Sequence, residues 1–284
     1  MRRCPSLASL ASSRRLLEQL ASGHAAQCGS VTLDMTTPTA VLTISNVSKA
    51  NAFSPAMMLQ FSDAITALES ASTCRSIIVC GADGRFCSGA DIGSAGDSLR
   101  SPAAGAAMSD IMTDATRRLA SLPLISVSAL DGGAVGGGAE LALATDFRVC
   151  APDAFFHFVQ VDRGVVPGWG GLSRLAQLAG RQTALYLLAS AARVDAQHAA
   201  TFGLVEAIVT PTAETSIVQH AAKFLRPLLR TDGDSKNGAS EATATAIAML
   251  KSALVEDDIP TAEHRAFRRL WGTPLQDAAS RRRK

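Results

Sequence analysis

Between Leu124 and Gly171 the chain reads LISVSALDGGAVGGGAELALATDFRVCAPDAFFHFVQVDRGVVPGWGG, and no other stretch restricts its folding as much. The apolar run from Leu124 to Ala129 has the length and flanks of a buried strand. Glycines at 132, 133, 136, 137 and 138 follow at once, and AELALA then reads as the first turns of a helix. A strand, a glycine-dense turn and a helix start make a backbone-lined pocket, because side chains that would crowd a ligand are missing. The first side chain there able to do acid–base chemistry is Glu140. It follows Gly137 by three residues, so the two share one helix face. Amide N–H groups beside one carboxylate suit stabilising an oxyanion and moving a proton.

The remaining composition removes several function classes. A net charge of +2, with no basic, aromatic-rich patch, argues against nucleic acid and against an acidic membrane surface. The six cysteines (4, 28, 74, 80, 87 and 150) form no CxxC pair and no Cys/His set with zinc spacing, so no metal site is expected. Reduced thiols in an intracellular compartment are the simplest reading. No apolar run approaches the ~18 residues of a membrane span. At 284 residues the chain can bury one large domain, with or without a helical appendage.

Residues 1–30 are basic, serine-rich and poor in acids, which fits a mitochondrial transit peptide and a place in the matrix; a disordered leader on a cytosolic protein is the alternative. Val31 to Met35 and Ala40 to Ser45 read as strands. Ser54 caps and Pro55 opens a helix whose apolar residues Met58, Phe61, Ile65 and Leu68 recur every three or four positions. Ser76 to Cys80 is a β-branched strand leading into the loop GADGRFCSGADIGSAG. SLRSPAAGAAM reads as a mobile stretch before a helix from Ile111 to Leu122. Beyond the central unit, Asp146 to Cys150 and Ala154 to Phe158 read as strands, and helices are expected at 171–179, 181–191 and 195–202, the first two divided by Gly180. A last strand is expected at Val205 to Val209. A helix from Ala213 to Leu225 is expected to be capped by Thr212 and stopped by Pro227. After the linker TDGDSKNGAS come helices at 241–256 and 261–271, and the RRRK tail reads as solvated. Strand–loop–helix units followed by helices argue an α/β core with a helical C-terminal region.

Familiar motifs fail at the glycine segment. GxGxxG would need a glycine at Leu141, no Gly-Lys-Ser/Thr follows, and neither Ser88 nor Ser173 lies in GxSxG. Two glycine loops remain, GRFCSGADI and DGGAVGGGAE, each after a strand. If those strands are neighbours, N–H groups from both loops can converge on one carbonyl oxygen. Ordinary tight turns explain the same pattern. Glu140 can equally be an acid favoured by the helix dipole, and Trp169 can wall a pocket or merely pack.

With those loops, FCSGADI and DGGAVGGGAELALATDFRV, the chain resembles the crotonase (enoyl-CoA hydratase/isomerase) superfamily from about Val31 to near its C-terminus. The resemblance implies a spiral of repeated ββα units over 31–205, a helical trimerisation region over 206–284, and homotrimers or dimers of trimers. It implies an acyl-CoA substrate, with no cofactor beyond the coenzyme A that the substrate carries. It assigns the oxyanion N–H groups to Ala90 and Gly137, and the coenzyme A contacts to backbone around Ala50, Ala52, Ser88, Asp91 and Ile92, with Gly136, Gln160 and Trp169 also at the substrate. Hydratases in the superfamily use two glutamates. Glu140 matches one, whereas the other falls on Gln160, with Asp162 two residues out of place. NAFSPAMMLQ, RLASLPLISV, GVVPGWGGLSRL, GRQTALYLLASAARVDAQHA and RRLWGTP are similar to the ethylmalonyl-CoA decarboxylases within it, although that family carries histidine at the position of Gln160. The implied activity is decarboxylation of ethylmalonyl-CoA or methylmalonyl-CoA, in which Glu140 orients the substrate or protonates the enolate carbon. Enoyl-CoA hydration, enoyl-CoA isomerisation and a non-catalytic binding role are the alternatives.

Overall fold

Burial follows the strand pattern closely. In β2 (Thr39–Ser45) alternate residues Ala40, Leu42 and Ile44 are buried, whereas β3 (Ser76–Gly81) is buried on both faces. Two-sided burial is the mark of a central strand between helical layers. The computed structural model describes residues 5–22, 29–92, 100–229, 239–256, 258–271 and 273–274. Its main sheet runs in the order β1-β2-β3-β4-β6-β9, with β1 at Ser30–Asp34, β4 at Ile125–Leu130, β6 at Phe147–Cys150 and β9 at Ala207–Ile208. Only β1 is antiparallel to its neighbour. A second sheet joins β5 (Gly133–Val135), β7 (Phe155–His157) and β8 (Arg193–Asp195).

Helices α2 (Pro55–Glu69) and α3 (Pro102–Ser121) cover one face of the main sheet through a core that includes Phe53, Phe61, Met112 and Leu119. The other face, with Ile78, Val127 and Val149, is closed by Ile217, Ala221 and Leu225 of α7 (Ile217–Leu229). The short α4 (Gly137–Ala142), α5 (Gly171–Ser190) and α6 (Ala196–Thr201) pack around the second sheet. Helices α8 (Ala239–Leu254) and α9 (Ile259–Leu270) pack on each other, and α8 reaches the sheet through Lys251, whose Nζ donates to Leu124 O and to Asp146 Oδ2 at 2.8 Å.

Several elements differ from the sequence reading. The stretch expected to be mobile is, from Pro102 on, the start of α3, because Ser101 Oγ accepts from Ala104 N at 3.2 Å and Pro102 takes the first helical position. That is the device seen at Ser54, whose Oγ accepts from Met57 N. The division at Gly180 is present as a kink with φ 80°. Arg193–Asp195, expected in part as helix, is strand β8, and Asp195 caps α6 by accepting from His198 N. Helix α7 starts at Ile217 rather than Ala213. Thr212 closes a tight turn with Thr215, while Ser216 and Gln219 cap the helix reciprocally, and Pro227 lies inside its last turns. The leader is helical rather than disordered over α1 (Leu7–Ser22), which docks on α2 and α3 with Leu17 fully buried. Residues 93–99, residues 231–238 of the linker and the RRRK tail lie outside the described residues, and the linker's last two residues, Ala239 and Ser240, open α8.

Candidate active site

Strands β3 and β4 run parallel with Cys80 opposite Ala129, so the loops leaving their C-terminal ends start from one edge. They join there. Cys87 N donates to Gly133 O at 3.2 Å, and Val135 N donates to Cys87 O at 2.9 Å. Gly89 has φ 91°, and a Cβ on it would sit 2.9 Å from Gly137 N, so the approach of the two loops requires glycine. Among the described residues, the N–H groups of Ala90 and Gly137 donate to no protein acceptor. These are the two N–H groups to which the resemblance assigns the oxyanion.

The β2–α2 connection lies against this edge. Ser88 N donates to Ala50 O at 3.1 Å, Phe53 N to Gly89 O at 2.7 Å, Asp91 N to Phe53 O at 2.9 Å and Ile92 N to Ala90 O at 3.1 Å. Ala50, Ala52, Ser88, Asp91 and Ile92 are therefore gathered on two joined loops. What shapes that join is a pair the sequence reading passed over. Fully buried Asn51 donates from Nδ2 to Ala82 O and Arg85 O and accepts from Asn46 N, while Asn46 Nδ2 donates to Ala52 O. Ala50 and Asn51 are both left-handed, a conformation that only specific local bonds sustain in non-glycine residues. Asn after NVSKA is the signal that could have revealed it.

Glu140 is 2% exposed and accepts four hydrogen bonds. Its Oε1 accepts from Gln160 Nε2 at 2.9 Å and Gly168 N at 3.2 Å, and its Oε2 from Trp169 N at 2.7 Å and Gly171 N at 2.8 Å. Gly136, at the N-cap of α4, donates its own N–H to His157 O. Gln160 is buried beside Glu140, and its Oε1 has no protein partner. Asp162 is exposed on the following 3-10 turn, away from the Glu140 carboxylate's hydrogen-bond shell. The buried Trp169 ring meets Phe53 edge-on at 5.6 Å and lies so close to Gly137 that a Cβ there would approach Cε3 to 2.8 Å. It therefore packs and walls the glycine pocket at once.

The same loop is held from its carbonyl side by residues the sequence reading did not select: Ser109, Thr113 and Thr116 of α3, and Arg174 of α5. Burial pulls the Arg174 guanidinium down to about 10, and the charge of Glu140 opposes that fall. No group of three His, Cys, Asp or Glu among the described residues is placed to hold a metal, and no helix among them is long and apolar enough to cross a membrane.

Residues 35–266 match the family model described as enoyl-CoA hydratase/isomerase. The chain is 34% identical over 234 residues to the ethylmalonyl-CoA decarboxylase of Mus musculus, covering 82% of this chain and 71% of that protein. It is 36% identical over 243 residues to the ethylmalonyl-CoA decarboxylase of Danio rerio, covering 83% and 76%. The crystal structure of enoyl-CoA hydratase from Thermoplasma volcanium superposes with a TM-score of 0.75 at 25% identity, covering 89% of this chain and 97% of that one. The fold is the crotonase fold, and the chain belongs to the enoyl-CoA hydratase/isomerase family.

Proposed function

We propose that this chain removes CO2 from a malonyl-type acyl-CoA thioester, ethylmalonyl-CoA or methylmalonyl-CoA, and so clears malformed carboxylated thioesters. The observation that carries this reading is one buried carboxylate already occupied by four N–H donors, together with two backbone N–H groups that have no protein acceptor among the described residues. In the reaction the bond between the α-carbon and the carboxylate breaks. Its electron pair moves into the thioester to form an enolate, CO2 leaves, and the α-carbon takes one proton that comes from solvent water once the CO2 has left. No base is needed to start it. The Ala90 and Gly137 N–H groups would hold the enolate oxygen, each worth ~3 kcal/mol when buried and pre-aligned. The joined loops at Ala50, Ala52, Ser88, Asp91 and Ile92 would hold the coenzyme A portion, and the Trp169 face would keep water from the reacting carbons.

Hydration fits less well. Water addition needs one group to activate water and another to manage the α-proton, and the second position is the uncharged Gln160. Isomerisation would make Glu140 a shuttle, which requires its oxygens to release donors they now hold. The similarity to ethylmalonyl-CoA decarboxylases supports the same choice. Measuring CO2 released from ethylmalonyl-CoA and methylmalonyl-CoA tests it: turnover of at least one is expected, and binding of both without release would make the chain a thioester-binding module. The basic first 30 residues support a mitochondrial matrix location, and exposed Leu250, Leu254, Phe267 and Trp271 on the α8–α9 hairpin support self-association, for which a homotrimer or dimer of trimers is the proposed form.

A further inference from the structure

Residues 167–171 form a short strap with side-chain partners on both edges. On the N–H edge, Gly168, Trp169 and Gly171 donate to Glu140. On the carbonyl edge, Gly168 O accepts from Ser109 Oγ and Thr113 Oγ1, both at 2.8 Å. Trp169 O accepts from Thr116 Oγ1 at 2.9 Å and from Arg174 Nη2 at 2.8 Å, and Arg174 Nη2 donates also to Thr116 Oγ1 at 2.6 Å. Positions 109, 113 and 116 are spaced by four and three, so one face of α3 presents a row of hydroxyls. Apart from the helix bond from Arg174 N to Gly170 O where α5 begins, the strap is held by side chains: Ser109, Thr113 and Thr116 from more than fifty residues away, Glu140 from about thirty and Arg174 from within α5.

We propose that Ser109, Thr113, Thr116 and Arg174 are positioning residues for the reaction, acting through the strap. The Gly168 carbonyl lies in one peptide plane with the Trp169 N–H, so Ser109 and Thr113 set the direction of a Glu140 donor, while Thr116 and Arg174 hold the next peptide plane, which leads the chain to the Gly171 N–H. They also fix the Trp169 ring over Gly137, next to the unpaired N–H. This rests on the decarboxylase reading for its kinetic part, but the placement of Trp169 can be read without substrate.

The shared acceptor makes the test specific. Because Gly168 O takes two hydroxyls, Ser109→Ala or Thr113→Val alone leaves one donor, and the double variant leaves a part-buried carbonyl with none. Each single variant should keep kcat within about threefold of the native chain, and the double variant should lower kcat by roughly tenfold or more, beyond the product of the singles. KM should change by less than about twofold, since the coenzyme A loops lie elsewhere. Thr113→Ser combined with Ser109→Ala should restore the single-variant rate. In a Trp271→Phe background, Trp169 emission should shift to the red and become quenchable by acrylamide in the double variant only. Native emission and native kcat in the double variant would overturn the proposal, as would a loss equal to the product of the singles that Thr113→Ser does not repair. If the native chain releases no CO2, the decarboxylase reading fails, while unchanged Trp169 emission in the double variant would separately overturn the strap.

Discussion

Each oxygen of Glu140 accepts two N–H groups, and this saturation constrains its neighbour. A carboxamide at 160 donates without charge, whereas a carboxylate there would set like charges in hydrogen-bond contact, so that the pair would hold a proton between them. Gln160→Glu should therefore lose about tenfold or more in kcat at neutral pH and recover as pH falls, when a protonated carboxyl supplies the missing donor. A pH–rate profile parallel to that of the native chain would contradict this. Cys87, against the Gly89 N–H, has its thiol pushed up from 9.0 to about 12 by burial. A thiol that stays protonated in the fold while the unfolded chain ionises contributes stability that is lost as pH rises from about 9 toward about 12. The stability advantage of the native chain over Cys87→Ala, measured by denaturant unfolding, should shrink across that window. A constant difference would mean that the thiol is not held protonated.

At the scale of elements, two helices begin with the same Ser-Pro pair, Ser54–Pro55 and Ser101–Pro102. Ser101→Ala should cost about 1 kcal/mol of stability by removing the acceptor for Ala104 N, read as a lower denaturation midpoint with unchanged slope. An unchanged midpoint would show the cap to be replaced by water. The first pair was legible because a 3.6-residue apolar repeat follows it. The second was not, because Pro102 to Ala107 carries only small side chains and shows no such repeat. Strand β8 escaped notice for a different reason: three residues pair with β7 across nearly forty positions, and no local pattern encodes that. The two glycine loops and Glu140 were legible since strand, turn and helix start are adjacent in sequence. Asn51, Thr116 and Arg174 were not, because their partners are set by tertiary contact alone. Helix α1 was hidden by composition, although Leu17 packs on α2 and α3, and Ser9 and Ser13 both donate to Asp110.

At the scale of the whole molecule, the main sheet sits between an α2–α3 layer and α7, and its C-terminal edge carries the site. The α8–α9 hairpin is fastened to the opposite end of β4 by Lys251, whose ammonium burial pulls down and Asp146 holds up. Lys251→Met should raise amide hydrogen exchange in α8 and α9 by about tenfold or more while β3 and β4 stay protected, because only the latch is cut. Equal exchange in both proteins would show that apolar contacts alone hold the hairpin.

The candidate site combines, among the described residues, two backbone N–H groups without a protein acceptor and one carboxylate that accepts four, and the proposed reaction makes its enolate by CO2 loss rather than by proton removal. Mass spectrometry of the coenzyme A products, after separate incubation with ethylmalonyl-CoA and crotonyl-CoA, tests that most directly. Butyryl-CoA from the first, with little 3-hydroxybutyryl-CoA from the second, is the expected result. Rapid 3-hydroxybutyryl-CoA formation with ethylmalonyl-CoA left intact would contradict it and make the chain a hydratase.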